Sequence, residues 1–248
     1  MKRMKKTLFL LLLAMLVTFC AAPAVTYADS STSSSSSTTK NGLIEKNGKL
    51  YYYKNGKLVK DKLGIKIDGN YYKISAKGVC KKVSEAAGRA GIQLEKIGRE
   101  STKSKTLKKA FTWYSTEITY APVTGSPASG QTKLAYYSIY GFKKKVGDCN
   151  VMAATFCQMA KVLGYDAKFV SGYIISSYDS DGNPVLAKHA WVTIKISGTT
   201  YVYDPNFAYV QHTLNNNTAA HSGYKMTYTK TGTKLQYTYY SSKKKLLK

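Results

Sequence analysis

Residues 147–164 read GDCNVMAATFCQMAKVLG, and they are the most informative part of the chain. From Val151 to Leu163 the run is mostly apolar and has no helix breaker, and Gly164 ends it as a glycine cap does. The pattern predicts a helix that begins beside Cys149. Because the free N–H groups and the dipole of a helix N-terminus stabilise a thiolate, Cys149 is placed as a nucleophile would be.

Three strands separated by turns are predicted downstream of this helix: Lys168–Ser176, Lys188–Ile196 and Tyr201–Pro205. His189 lies on the second strand, and Asp204 is the carboxylate at the end of the third. With Cys149 they give the order Cys, His, Asp. In thiol chemistry the Cys attacks a carbonyl, the His takes and returns the proton, and the Asp holds the imidazole in the right tautomer.

Five short blocks around these residues resemble the core of the transglutaminase-like superfamily, in the family's order and spacing: Gly147-Asp148-Cys149, Leu163-Gly164-Tyr165-Asp166-Ala167, Val170-Ser171-Gly172-Tyr173, His189-Ala190-Trp191-Val192 and Val202-Tyr203-Asp204-Pro205. The resemblance covers residues 105 to 210. It implies a papain-like α+β fold with the catalytic helix packed on an antiparallel sheet. It also implies that Cys149 is the nucleophile, His189 the general base and acid, and Asp204 its orienting partner, in acyl chemistry on amides without a cofactor.

The cysteines and histidines allow other interpretations. Cys149 as a buried structural thiol is disfavoured by its position at a helix start. Cys157 lies about 12 Å further along the same helix, too far for a disulfide, and is predicted to be a core residue. Cys80 either pairs with another chain or stays free. No metal site is predicted, because the chain lacks the short Cys or His spacings that bind zinc.

An oxyanion stabiliser is also needed, and it normally combines the backbone N–H of the nucleophile with one side-chain donor. Gln131 is the candidate amide upstream of Cys149. The hydroxyls of Tyr136, Tyr137 and Tyr140 are alternatives, and the sequence does not choose among them. This Tyr-rich stretch is expected to form part of a substrate rim.

The residues before the site are predicted to be helical. Apolar side chains recur at steps of three and four residues along 101–120, at Leu107, Ala110, Phe111, Tyr114 and Ile118. We interpret this face as core contacts. A second helix is expected from Ser84 to Glu100, although three glycines weaken it. The catalytic domain is predicted to cover residues 81–240.

An internal repeat occupies residues 41–80. Two Tyr-rich runs, Lys49–Gly56 and Asn70–Gly78, each follow a turn pair, Asn47-Gly48 or Asp68-Gly69. Asn-Gly and Asp-Gly favour tight hairpin turns, and Tyr favours strands. The repeat therefore predicts a small module of stacked β-hairpins.

This module resembles the cell-wall-binding, choline-binding-like repeats of Gram-positive surface proteins. Those repeats carry a Gly-Trp pair whose indole helps to bind a quaternary ammonium. Here the corresponding pairs are Gly42-Leu43 and Gly64-Ile65, which disfavours choline. Wall polymer is the preferred ligand, packing on the next domain is an alternative, and a hairpin cap that binds nothing is another.

The chain begins with a predicted signal peptide, residues 1–28, in which a basic start precedes an apolar run and small residues. A membrane anchor is the competing interpretation, but the apolar run is short for spanning. Residues 29–40 are predicted to be a Ser/Thr-rich linker, and residues 241–248 a basic tail.

Charge and composition restrict the partners. The formal net charge is +25, and loss of the four basic residues of the signal peptide leaves +21. For an exported protein, such a surface favours anionic cell-wall polymer over nucleic acid as a partner. A hydrophobic content of 44% excludes a wholly disordered chain.

We therefore expect a secreted, wall-associated thiol enzyme that cleaves peptide or other amide bonds. The predicted rim is polar and short, which suits water better than the hydrophobic tunnel of an amine acceptor. A cross-linking transglutaminase, or a non-enzymatic wall-binding protein on the same fold, is the alternative. The sequence predicts no oligomeric state.

Overall fold

An antiparallel sheet lies at the start of the described chain. The computed structural model describes residues 40–213, 223–228, 239–242 and 245–246. The strands of this sheet are β1 (Gly42–Lys46), β2 (Lys49–Lys54), β3 (Lys57–Leu58), β4 (Lys62–Ile67), β5 (Asn70–Ile74) and β6 (Val79–Val83). Their order is β1-β2-β6-β5-β4, with β3 on β2. Positive φ angles at Asn47-Gly48 and Asp68-Gly69 form two hairpin turns, which confirms the predicted hairpin module.

The rest of the described chain alternates helices with strands. The helices are α1 (Glu85–Ile97), α2 (Lys103–Glu117), α3 (Lys133–Lys144), α4 (Cys149–Val162) and α5 (Pro205–Thr213). The strands are β7 (Thr119–Tyr120), β8 (Val146–Gly147), β9 (Asp166–Tyr178), β10 (Pro184–Ile196), β11 (Thr199–Tyr203), β12 (Tyr239–Ser242) and β13 (Lys245–Leu246).

The catalytic helix of the prediction, α4, packs on a second antiparallel sheet with strand order β11-β10-β9-β12-β13. Their shared core includes Phe156, Cys157 and Ala160 from α4 and Val192 and Ile194 from β10, all fully buried. Phe111 of α2 closes this core and meets the Phe156 ring edge to face at 5.1 Å. The predicted α+β class, with a helix on an antiparallel sheet, is confirmed.

The opposite face of this sheet is covered by the C-terminal part of the chain. Trp191 and Val202 pack there against Met226 and Tyr239. Two backbone hydrogen bonds of 2.7 and 2.8 Å between Val202 and Met226 hold the segment in place. Both faces of β10 are therefore buried, although α4 covers only one of them.

The hairpin module packs against helix α1 at glycine residues. A Cβ added at Gly91 of α1 would collide with the backbone of Leu63 in β4, and one added at Gly64 would collide with the backbone of Gly88. Only glycine permits this approach of helix to strand. On its other side, α1 buries Ala90 and Leu94 against Met159 of α4. The described residues from Lys40 onwards accordingly belong to one compact unit.

Two helices differ from the prediction. The Tyr-rich stretch that was expected to form part of a substrate rim, with no helix predicted, is helix α3. Its cap is Thr132, whose hydroxyl accepts from the Ala135 N–H at 3.2 Å. Helix α5 begins directly after Asp204, where only the end of a strand was expected. Both start at residues that favour helix N-termini, Thr132 as a cap and Pro205 as a first residue.

The structure describes part of the predicted C-terminal tail but not the segments before residue 40. Lys245–Leu246, within the predicted basic tail, form β13 and pair with β12. The predicted signal peptide, residues 1–28, and the linker up to residue 39 lie outside the described residues. Among the described helices, none has the length and apolar character needed to cross a membrane.

Candidate active site

Cys149 is the first residue of α4, and the residue before it caps the helix. The Asp148 carboxylate accepts hydrogen bonds from the backbone N–H groups of Asn150 and Val151, at 2.9 and 3.1 Å. The Cys149 side chain is half-buried, and the Asn150 amide nitrogen lies 3.9 Å from its sulfur. The thiol thus lies in the first turn of a well-capped helix, at its positively polarised end.

His189 lies on β10 and is 5% exposed. Its Nε2 atom donates to Asp204 Oδ2 across 2.7 Å, and the Cys149 side chain also hydrogen-bonds to the ring. Burial opposes the charged imidazolium, but the charge of Asp204 and the hydrogen bonds of Asp204 and Cys149 outweigh it and raise the pKa of His189 to about 10. An imidazole held in this way can accept the thiol proton.

Asp204 follows β11 and is fully buried. Its Oδ2 atom accepts from His189 and also from the Tyr239 hydroxyl at 2.9 Å, while Oδ1 accepts from the Phe207 backbone N–H at 3.0 Å. One carboxylate therefore orients the imidazole and caps α5. The structure joins the three predicted residues, Cys149, His189 and Asp204, in one hydrogen-bonded chain.

Aromatic side chains cover the hydrogen-bonded residues Cys149, His189 and Asp204 on the side away from α4. The fully buried Trp191 stacks on the His189 ring, with centroids 6.2 Å apart and planes 20° apart. Its indole N–H donates to the Tyr228 hydroxyl at 2.9 Å, and its ring packs against Tyr239 at 4.8 Å. Water is thereby kept from the His189–Asp204 pair, which strengthens their attraction.

Tyr228 and Tyr239 were not singled out by the sequence analysis. They lie 24 and 35 residues after Asp204, and no local pattern links them to the site. Their place beside Trp191 depends on the C-terminal segment that returns over the sheet. The sequence signal that was available is the high Tyr content of that segment.

A cleft of about 370 Å³ opens beside His189. Its lining residues come from two helices and three strands. They are Lys133, Tyr137, Asn150, Ser171, Gly172, Tyr173, Lys188, His189 and Ser241. Most of these side chains are polar, as was predicted for the rim. A substrate entering here approaches the imidazole and the start of α4 together.

Of the predicted oxyanion donors, Tyr137 is the one that lines this cleft. Burial raises the pKa of Tyr137, and the nearby Asp148 and Cys149 raise it further, which keeps its hydroxyl protonated as a donor. Gln131 lies at the end of the loop before α3, and its side-chain oxygen accepts from the Ala128 N–H at 3.3 Å. It is not among the residues that line the cleft.

The Tyr136 hydroxyl donates to the Thr124 carbonyl at 3.3 Å. Tyr120, which the sequence analysis did not single out, is also close to the nucleophile. Burial raises the pKa of Tyr120, and the charges of Cys149 and Asp148 raise it further. Its ring stacks on Tyr209 of α5. Tyr120 and Tyr137 are thus hydroxyl groups near the thiol.

The other described cysteines are buried, and none forms a disulfide. Cys157 is fully buried in the core, and burial raises its pKa to about 12. Cys80 is 6% exposed, and burial raises its pKa as well. In the described chain, Cys149 is therefore the thiol placed to react. No group of three possible metal ligands occurs among the residues that the structure describes.

The family comparison agrees with this geometry. Residues 92–205 match the model of the family described as the transglutaminase-like superfamily. The matched range contains Cys149, His189 and Asp204. No curated protein sequence matches the chain.

Three solved structures are similar to part of the chain. A protein of Cytophaga hutchinsonii named "Putative Cysteine Protease" has 16% identity and a TM-score of 0.35, over 49% of this chain and 38% of its own. The periplasmic domain of TgpA from Pseudomonas aeruginosa has 18% identity and a TM-score of 0.37, over 54% and 46% of the two chains. The same domain bound to ethylmercury has 20% identity and a TM-score of 0.36, over 48% and 44%. The chain spans less than half the length of each.

Proposed function

We propose that this chain is a thiol enzyme that acts on amide bonds through a thioester at Cys149, since residues 92–205 match the model of the transglutaminase-like superfamily. The observation that carries the proposal is the hydrogen-bonded chain from Cys149 through His189 to Asp204. It combines a nucleophile, a base within reach of it and a buried group that orients the base.

The reaction follows from this arrangement. His189 takes the proton of the Cys149 thiol, and the thiolate attacks the carbonyl carbon of the amide. The carbon–sulfur bond forms and the carbon–nitrogen bond breaks, while His189 returns the proton to the leaving amine. Asp204 keeps Nε2 of the imidazole engaged, so that the other ring nitrogen faces the thiol. The Cys149 backbone N–H and the Tyr137 hydroxyl are proposed to stabilise the oxyanion.

The thioester then reacts with water or with an amine. In hydrolysis His189 removes a proton from water, the new carbon–oxygen bond replaces the carbon–sulfur bond, and the thiol is regenerated. The polar lining of the cleft favours water over a long apolar amine. We therefore propose peptidase or amidase action, with acyl transfer to an amine as the alternative outcome.

Thiol reactivity tests the nucleophile directly. The protein is treated briefly with dilute iodoacetamide, and its intact mass is measured. We expect one rapid adduct, which disappears in Cys149→Ala and remains in Cys157→Ala, the matched buried-thiol control. Rapid labelling that survives in Cys149→Ala would show that the reactive thiol has been assigned to the wrong residue.

The choice between hydrolysis and transfer needs a second assay. The protein is incubated with a glutamine-containing protein and a dansylated amine, and both amine incorporation and cleavage products are followed. We expect cleavage products that depend on Cys149. Efficient Cys149-dependent incorporation without cleavage would instead establish a cross-linking enzyme.

Localisation is part of the proposal. Residues 40–109 carry 19 basic and 6 acidic side chains, an excess of 13 positive charges on the hairpin module and the helices after it. Together with the predicted signal peptide, this charge supports secretion and adhesion to an anionic wall polymer. The hairpin module is proposed to supply the contact surface.

A further inference from the structure

Two lysines line the cleft, one on a helix and one on a strand. Lys133 is the first residue of α3, and Lys188 precedes His189 on β10. In the register of the sheet, Lys188 lies directly opposite Tyr173 of β9, which lines the same cleft. Both lysines are exposed, so their ammonium groups can reach a molecule that occupies the cleft.

The cleft has no acidic side chain to neutralise them. Its lining contains no Asp or Glu, and within the described residues neither Lys133 nor Lys188 takes part in an ion pair. The carboxylates next to the cleft are already engaged. Asp148 accepts from the start of α4, and Asp204 accepts from His189 and Tyr239.

Some lysines outside the cleft, in contrast, form ion pairs with carboxylates. Lys109 contacts Glu100, and Lys143 contacts Glu85, at 2.8 and 3.0 Å. The first turn of α3, where Lys133 lies, has no acidic residue, so the partial positive charge of that helix end adds to the lysine. The positive charge at the cleft is therefore available for a ligand.

We infer that the cleft selects amide substrates that carry a carboxylate close to the scissile bond, that is, acidic peptides, with Lys133 and Lys188 as the residues that bind the carboxylate. This inference rests on the proposed function, because it places the acyl group at Cys149. Since one lysine lies on a helix and the other on a strand, with His189 in the lining as well, we expect acidic residues near the amide to be within reach of both. The two lysines determine specificity and take no part in the chemistry.

Equilibrium binding tests the inference without relying on turnover. The protein with Cys149→Ala is titrated into two fluorescein-labelled peptides that differ only in having glutamates or glutamines around the central amide, and anisotropy is measured. We expect the acidic peptide to bind more tightly, by about twofold to fivefold for each lysine. Because the charges are exposed, the preference should shrink between about 50 mM and about 300 mM salt.

Substitutions assign the preference to the two lysines. It should vanish in the variant that adds Lys133→Gln and Lys188→Gln, and it should persist with Lys195→Gln, an exposed lysine on the same strand β10 that does not line the cleft. Equal affinity for the two peptides, no measurable binding of either, or a preference that survives in the double variant would each overturn the inference.

Turnover of the same peptides by the protein with Cys149 intact separates this inference from the proposed function. Cleavage of both peptides at equal rates would leave the thiol enzyme in place and remove the acidic preference. Lysine-dependent binding of the acidic peptide without any Cys149-dependent reaction would support the binding site and contradict the enzyme.

Discussion

Tyr239 donates its hydroxyl hydrogen to Asp204 Oδ2 across 2.9 Å, although 35 residues separate the two in the chain. The same oxygen accepts from His189 at 2.7 Å. Tyr239 is 4% exposed, so this contact is closed to water. The C-terminal segment therefore helps to hold the carboxylate on which the imidazole depends.

Tyr239→Phe should lower kcat with little change in KM. A hydrogen bond to a charged group contributes about 1.5–3 kcal/mol, so we expect kcat to fall by about tenfold or more as Asp204 becomes less well oriented. The measurement is steady-state kinetics over a range of pH. Tyr228→Phe, which removes a neighbouring hydroxyl without touching Asp204, is the control. An unchanged kcat in folded Tyr239→Phe would contradict this role.

The three site residues should contribute unequally. Cys149→Ala should abolish formation of the acyl-enzyme, and His189→Ala should reduce kcat/KM by roughly 10³ or more. Asp204→Asn keeps an acceptor for the Phe207 N–H and so preserves the cap of α5, and it should leave measurable activity. Circular dichroism checks folding. Small and equal losses for the three variants would refute the assignment.

Stability should fall as pH rises through the alkaline range. The pKa of His189 is raised in the folded chain from its ordinary value of 6.5 to about 10. Below pH 6.5 both the folded and the unfolded chain bind the proton, and the stabilisation is complete. Between these values only the folded chain binds it, so the free energy of unfolding decreases with pH.

Urea unfolding of the protein and of His189→Gln at several pH values measures this effect. The difference between them should shrink towards pH 10 by an amount on the order of 2–4 kcal/mol. Other groups that titrate in this range affect both proteins alike and cancel in the comparison. A difference that is constant from pH 6 to pH 10 would show that His189 gains no proton affinity on folding.

Gly91→Ala should destabilise the whole unit. Its Cβ would meet the backbone of Leu63, which cannot rotate away as a side chain can. We expect a loss of about 1–3 kcal/mol from overpacking, although alanine favours helices more than glycine does. Urea unfolding gives the value, and Gln93→Ala on the same helix is the control. Gain of stability in Gly91→Ala would disprove the close approach.

Adhesion to wall polymer should depend on the hairpin module and on salt. The variant Lys54→Gln, Lys57→Gln, Lys60→Gln removes three exposed charges from the module. It should bind purified walls more weakly in low salt than Lys144→Gln, Lys168→Gln, Lys195→Gln, which removes three exposed charges elsewhere. A pull-down at increasing salt compares them. Equal binding of the two triple variants would contradict the proposal that the hairpins target the protein to the wall.

The parts of the fold that were predictable have local causes. Helix α4 followed from an apolar run between Asp148 and Gly164, and the hairpins followed from turn pairs with positive φ. Helix α3 was not predicted, because three of its twelve residues are tyrosines, which suggested a wet rim. Gly91 weakened the prediction of α1, yet its missing Cβ is what lets that helix pack.

The parts that were not predictable depend on distant segments. Asp204 was recognised as the end of a strand, but its second role as the cap of α5 needed the geometry of Phe207. Tyr239 has no signal in sequence, because only the return of the chain over the sheet brings it to the carboxylate. In the sequence, nothing distinguishes the two cleft lysines from the other basic residues, which number 38 in all. Only the fold brings them into the lining of one cleft.

The contact between Gly64 and α1 has a consequence for how the proposed enzyme would reach its targets. Backbone touches backbone there, and α1 in turn packs on α4, whose first residue is Cys149. A molecule that adheres through its hairpins would thus hold the mouth of its cleft at a constant height and angle above the surface. Bonds lying deeper than that height would escape it.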